Sequence, residues 1–113
     1  MHELALARSI VAIAEEAANG RRVRRVTVEV GALSGVMPQA LSFCFDAVVM
    51  DSAINGATLE LVELPARARC DACGAEFEQA HFISPCSACG SPRFTRFQGD
   101  ELNVKTLEIE EAA

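Results

Sequence analysis

Two near-copies of one short motif, Cys70-Asp71-Ala72-Cys73-Gly74 and Cys86-Ser87-Ala88-Cys89-Gly90, constrain this chain more than anything else in it. Each is a knuckle that turns two sulfurs toward one point, and the glycine after the second cysteine lets the turn close without a side-chain clash. Four thiolates suit Zn(II), which has no geometric preference of its own and takes a sulfur tetrahedron readily. Such a shell leaves no position for water, so the expected metal is structural. The other chemistry open to these residues is free thiols, two disulfides, an iron–sulfur centre or a redox pair. The chain has five cysteines, an odd count for a disulfide framework.

A segment that needs a metal is one that cannot hold itself by apolar burial. Residues 67–97 carry the four cysteines with Gly74, Pro85, Gly90 and Pro92 and show no sustained helical or strand period. They read as an inserted zinc-binding module. In a chain of 113 residues that is 50% hydrophobic, one small domain remains around it.

That domain is expected to be discontinuous, 1–66 completed by 98–113. From Leu4 to Ala18, the apolar residues Leu6, Ile10, Ile13, Ala14 and Ala17 make one helical stripe that Asn19-Gly20 ends. Val26, Val28 and Val30 alternate with polar residues as a half-buried strand closed by Gly31. Pro38 opens a second helix with Leu41, Phe45, Val48 and Val49 on one face. Asn55-Gly56 turns into a strand, Ala57 to Leu64, stopped by Pro65. After Gly99 the apolar positions Leu102 and Val104, then Leu107 and Ile109, switch parity once, which a β-bulge near Lys105 or Thr106 would restore to one face. The fold class is therefore α+β: two helices packed on a small three-stranded mixed sheet, with an inserted zinc-ribbon module. Strand order is not legible.

The charge balance narrows the partners. Ten basic against 16 acidic residues give −6, and Arg67, Arg69, Arg93 and Arg96 in the module face Asp71, Glu76, Glu78 and a dianionic zinc–thiolate centre. No nucleic-acid partner is expected. The start Met1-His2-Glu3 lacks a basic signal region and no apolar run is long enough to span a bilayer, so a cytoplasmic protein without a membrane partner is expected. No nucleophile–base pair or open metal position is visible, so the chain does not read as an enzyme.

The amino terminus offers a second metal site. A terminal amine, the next backbone nitrogen and the His2 imidazole can close fused chelate rings around one ion, and planar nitrogen donors suit Ni(II) or Cu(II). The plain alternative is a solvated His2 and a first-turn Glu3 that favours the helix dipole.

Together, Met1-His2-Glu3-Leu4, Val30-Gly31-Ala32-Leu33-Ser34, the two knuckles with Cys89-Gly90-Ser91, and Gly99-Asp100-Glu101-Leu102 resemble the HypA/HybF hydrogenase nickel-incorporation family along essentially the whole chain. The resemblance implies a nickel metallochaperone. It assigns Ni(II) to His2 and Glu3 with the neighbouring backbone nitrogens, and structural zinc to Cys70, Cys73, Cys86 and Cys89. It also implies a HypB-type GTPase and the nickel–iron hydrogenase large subunit as partners, and is compatible with a homodimer. Some family members add a carboxylate to nickel from the loop after the first strand; here that loop, Gly35-Val36-Met37-Pro38, has none. The rival reading is a zinc-ribbon interaction module without nickel function.

Three further features carry a bland reading beside a sharper one. Cys44 reads as a small buried hydrophobe on the second helix. His81 is a loop histidine or a group that tunes the zinc sulfurs. Arg21, Arg22, Arg24 and Arg25 are a solvated cluster or a surface for an acidic partner.

Overall fold

The computed structural model describes residues 2–110, the side chain of His2 excepted. The chain forms two compact units: Met1–Glu29, Val36–Val62 and Asn103–Ala113 in one, Val30–Gly35 and Glu63–Leu102 in the other.

The first unit holds both helices. Helix α1 (His2–Ala18) buries Ala7, Ile10, Val11, Ala14 and Ala18. The stripe expected from the sequence is rotated: Ile13 and Ala17 face solvent, while Ala7, Val11 and Ala18 are inside. The helix is rich in alanine and leucine on more than one face, so the period fixes helicity, and packing against the second helix selects the face. Asn19 at φ 51° and Gly20 at φ 85° end it in the left-handed region. Arg21 seals the end by donating from Nε to the Ala18 carbonyl at 2.8 Å and from Nη2 to that of Ala17 at 3.1 Å. A cation there also opposes the negative pole of the helix.

Helix α2 (Pro38–Val49) starts at proline, where a missing amide costs nothing, and buries Leu41, Phe45 and Val49 at a spacing of four. Val48, expected on the same face, is half-buried. Phe45 is fully buried. Phe45→Ala should destabilise the protein by about 3–5 kcal/mol through lost transfer energy and the cavity left behind, read as an earlier midpoint in urea.

Strand β1 (Val23–Gly31) buries Val26, Val28 and Val30 as their alternation requires, and also Val23, which lies out of that alternation beyond the exposed Arg24 and Arg25. It is central in a three-stranded sheet of order β2-β1-β6, with β2 at Thr58–Leu64 and β6 at Leu102–Ile109. The Thr58 hydroxyl donates to the Arg24 carbonyl and the Ala32 amide to that of Leu64, so β1 and β2 climb together. Gly31 donates to Glu101 and Glu110 to Arg22, so β1 and β6 run opposite ways. The sheet is mixed, as expected. In β6 the exposed residues Lys105 and Thr106 are adjacent, and exposure alternates regularly on either side of them.

Ion pairs line this sheet. Arg22 meets Glu110 at 3.5 Å, Arg24 meets Glu108 at 3.7 Å, and Arg25 reaches both Glu60 and Glu108 at 3.7 Å. With Arg21 on the helix end, all four arginines of the cluster are engaged inside the chain. Exposed pairs of this kind add little stability, but they occupy the charges.

The second unit contains a sheet that periodicity missed. Residues 67–97 are not irregular: β3 (Ala66–Cys70), β4 (Glu76–Gln79) and β5 (Phe94–Gln98) form an antiparallel sheet of order β4-β3-β5. Strands of four or five residues, whose inward positions are Ala66, Ala68 and Cys70 in β3 and Phe77 and Gln79 in β4, are too short and too weakly apolar to display a period. In β3, Arg67 pairs with Gln98 and Ala68 with Arg96, which leaves Phe97 as the extra residue of a bulge.

The Val30–Gly35 segment joins this unit through the Gly31 amide on Glu101, the Ala32 amide on Leu64 and the Leu33 amide on Gly99, each at 2.8 Å. A side chain at Gly31 would run into the Gly99 carbonyl, so the backbones meet only because residue 31 is glycine. Gly31→Ala should therefore lower the melting temperature although no side-chain contact is lost, checked by calorimetry.

Candidate metal centre

The ribbon core is small: Ala68, Cys70, Phe77 and Cys86 are buried, with Ala75 and Phe94 packed against them. Phe77 and Phe94 meet edge to face at 6.4 Å between ring centroids. Two of the four buried positions are themselves cysteines, so the core and the metal site are one structure.

Each knuckle is built the same way down to its hydrogen bonds. The Cys70 amide donates to Ala75 and the Cys86 amide to Ser91, while the Gly74 amide returns to Cys70 and the Gly90 amide to Cys86. Gly74 at φ 78° and Gly90 at φ 77° sit at the left-handed position this turn demands. Cys70 Sγ accepts from the amides of Ala72 and Cys73 at 3.3 and 3.4 Å, and Cys86 Sγ from those of Ala88 and Cys89 at 3.4 and 3.5 Å. Backbone donors aimed at sulfur favour thiolate over thiol.

All four sulfurs lie within 4.8 Å of one another, the closest pairs being Cys70 with Cys89 at 3.6 Å and Cys73 with Cys86 at 3.7 Å. A sulfur tetrahedron around zinc at about 2.3 Å per bond has edges of about 3.8 Å. The cluster fits that ion, and its closest pairs are far longer than a disulfide bond of about 2.05 Å. The first cysteine of each pair is buried and the second exposed.

The electrostatics follow from this geometry. The Cys73 amide, ahead of the other contacts, holds the Cys70 thiol down at about 6. Cys86 is lowered chiefly by the Cys89 amide. Cys89 goes the other way, to about 12: the Ser91 amide favours its thiolate, but hydrogen bonds to the Cys70 and Cys73 sulfurs favour the protonated form and outweigh it. The centre thus offers a ready thiolate in Cys70 at neutral pH and keeps protons on Cys73 and Cys89 until a cation displaces them. Because Cys70 is depressed, its ligand form persists until pH falls through about 6. Because binding must displace the protons on Cys73 and Cys89, zinc affinity should fall as pH falls through the neutral range and more steeply below about 6, where Cys70 is protonated as well, and recover on return to higher pH, measured by competition with a chromogenic chelator.

The structure brings together the four cysteines read from the sequence and no other candidate ligand among the described residues. His81 is an exposed loop residue outside the cluster, and Cys44 is half-buried on α2. Of the amino-terminal site, Met1 and the His2 side chain lie outside the described residues. Glu3 is in the first turn of α1, and its carboxylate is buried. Its Oε2 accepts the Met37 amide at 3.1 Å. Met37 is the N-cap of α2 and has no side-chain cap of its own, so Glu3 places a negative charge at the positive end of that helix. No periodicity marks this contact, which joins residues 34 apart.

Two helices, a small mixed sheet and a ribbon whose four thiolates fit zinc define a small α+β metal-binding protein. Residues 1–109 match the family model described as hydrogenase/urease nickel incorporation, metallochaperone, HypA, and the chain belongs to that family. Hydrogenase maturation factor HypA of Geobacter metallireducens is 46% identical over 97% of this chain and 100% of its own length. The same factor of Trichormus variabilis is 44% identical over 98% of this chain and 97% of its own. Among solved structures, the nickel metallochaperone HypA from Helicobacter pylori superposes with a TM-score of 0.68 at 26% identity, covering 96% of this chain and 97% of that one. A second HypA solution structure gives 0.72 at 26% identity over 97% of each. The family is one of metallochaperones and maturation factors rather than enzymes. No described helix is long and apolar enough to cross a membrane.

Proposed function

We propose that this chain binds Ni(II) as cargo at its amino terminus, through His2 and Glu3 with the neighbouring backbone nitrogens, and delivers it for maturation of nickel–iron hydrogenase. Cys70, Cys73, Cys86 and Cys89 hold a structural zinc, and residues 67–97 are the module this metal folds. A HypB-type GTPase and the hydrogenase large subunit are the partners, and the setting is the cytoplasm.

The observation that carries this reading is the family match from residue 1 to residue 109, which begins on the Met1-His2-Glu3 chelate itself. Glu3 Oε2 accepts the Met37 amide and so anchors α1 to the start of α2, which fixes the first turn that carries the proposed donors. Cargo transfer asks for a site that holds nickel selectively and gives it up readily. A terminal chelate of nitrogen donors meets this better than a closed cage does. The deciding measurement is a nickel titration of protein with its native amino terminus against the His2→Ala variant. Equal binding in both would leave the chain as a zinc ribbon for protein contacts alone.

A further inference from the structure

The ribbon unit contains one loop whose backbone is fixed and whose apolar side chains are left in water. Ile83 is 83% exposed and Phe82 58% exposed. Both would be unremarkable on a mobile turn, but this turn is braced on both sides. Gln79 is buried, and its Nε2 donates to the Ser84 carbonyl at 3.0 Å. The His81 amide donates to Ser84 Oγ at 3.0 Å. Arg96, reaching over from β5, donates from Nε to Gln79 Oε1 at 2.9 Å and from Nη2 to the Phe82 carbonyl at 2.7 Å. Its guanidinium also lies 5.2 Å from the centre of the Phe82 ring and 5.7 Å from that of Phe94. Phe94 belongs to the ribbon core; Phe82 and Ile83 do not. The brace therefore costs entropy and returns no burial to the loop itself.

The charge along this stretch of sequence is just as distinct. Residues 79–98 contain no aspartate or glutamate, although the chain has 16, and they carry Arg93 and Arg96. An acidic protein has cleared its acids from the stretch that displays its most exposed large apolar side chain.

We propose that the Phe82–Ile83 loop is a preorganised docking tip for a partner protein that presents an apolar pocket rimmed by carboxylates. Two apolar anchors held in fixed conformation are the form in which a few residues dominate an interface, because little ordering entropy is left to lose on binding. Arg93 and Arg96, the two formal charges of this stretch, favour a carboxylate rim over a basic one. A lipid surface fits less well. Two apolar residues and two arginines on a chain of net charge −6 fall short of the combined apolar and polybasic signals that stable membrane binding takes.

The test uses the full, zinc-loaded chain without nickel, so it stands apart from the cargo assignment. Random 12-residue peptides displayed on phage are selected against the protein, and the enriched peptides are measured by fluorescence anisotropy. The expected peptides combine Trp, Leu or Phe with Asp or Glu. Ile83→Ser and Phe82→Ser should each weaken them by about tenfold or more. Phe43→Ser, at an exposed phenylalanine on α2, should not. Arg96→Ala, which keeps both anchors but releases the loop, should also weaken binding, with zinc content confirming an intact ribbon. Enriched peptides that ignore Phe82 and Ile83 would overturn the proposal. So would binding to phosphatidylserine vesicles, or self-association in the ultracentrifuge, that is lost in Ile83→Ser, because the tip would then serve a membrane or a second copy of the chain.

Discussion

Replacing His2 with alanine is expected to reduce nickel affinity by more than about 100-fold while leaving one zinc per chain. Loss of a contact that merely supports a metal ligand costs up to about that factor, and here the imidazole itself is removed. One extra residue before Met1 should have a comparable effect, since it displaces the terminal amine from the chelate. Neither change alters a knuckle residue, so the two metals should respond separately. Isothermal titration with Ni(II), beside elemental analysis for zinc, reads both at once. Undiminished affinity in His2→Ala would remove nickel from this site. Unchanged binding in the extended form alone would leave His2 and backbone amides as the donors without the terminal amine.

Cys70→Ala or Cys86→Ala is expected to abolish zinc binding and to collapse amide protection across 66–98, with helical circular dichroism retained. The ribbon core clusters on Ala68, Cys70, Phe77 and Cys86, so either substitution removes a ligand and part of the core together. With so little apolar burial, metal binding energy is folding energy. The helices have their own interior, built on Leu41, Phe45, Ile10 and Val11. Hydrogen exchange followed by mass spectrometry separates the two regions. Ribbon protection that survives both substitution and a strong zinc chelator would show that the metal does not fold this segment, and loss of the helical signal would refute independent folding of the helices.

Some of this was legible before any coordinates. The knuckles specify their own turns, because a cysteine pair two residues apart followed by glycine can close only a few ways, and both closed alike. Val26, Val28 and Val30 alternate so regularly that one face of β1 had to be buried. Other features were hidden. The three ribbon strands leave no period because they are four or five residues long and their inward positions mix alanine, cysteine, glutamine and two phenylalanines. The α1 stripe is rotated from its sequence reading, with Ile10 and Ala14 inside but Ile13 and Ala17 in solvent, because several faces of that helix are apolar enough to bury.

The sequence alone therefore determined what local geometry and chemistry determine: helix and strand where the periods are strong, the turn at each knuckle, and a donor set fit for zinc. The tertiary structure decided what depends on residues far apart in the chain. It set the strand order β2-β1-β6, turned the Glu3 carboxylate to Met37, tied the basic cluster to Glu60, Glu108 and Glu110, and braced the Phe82–Ile83 loop with Arg96. Partners 14 to 88 residues apart leave no periodic trace, because what brings them together is the packing of whole elements.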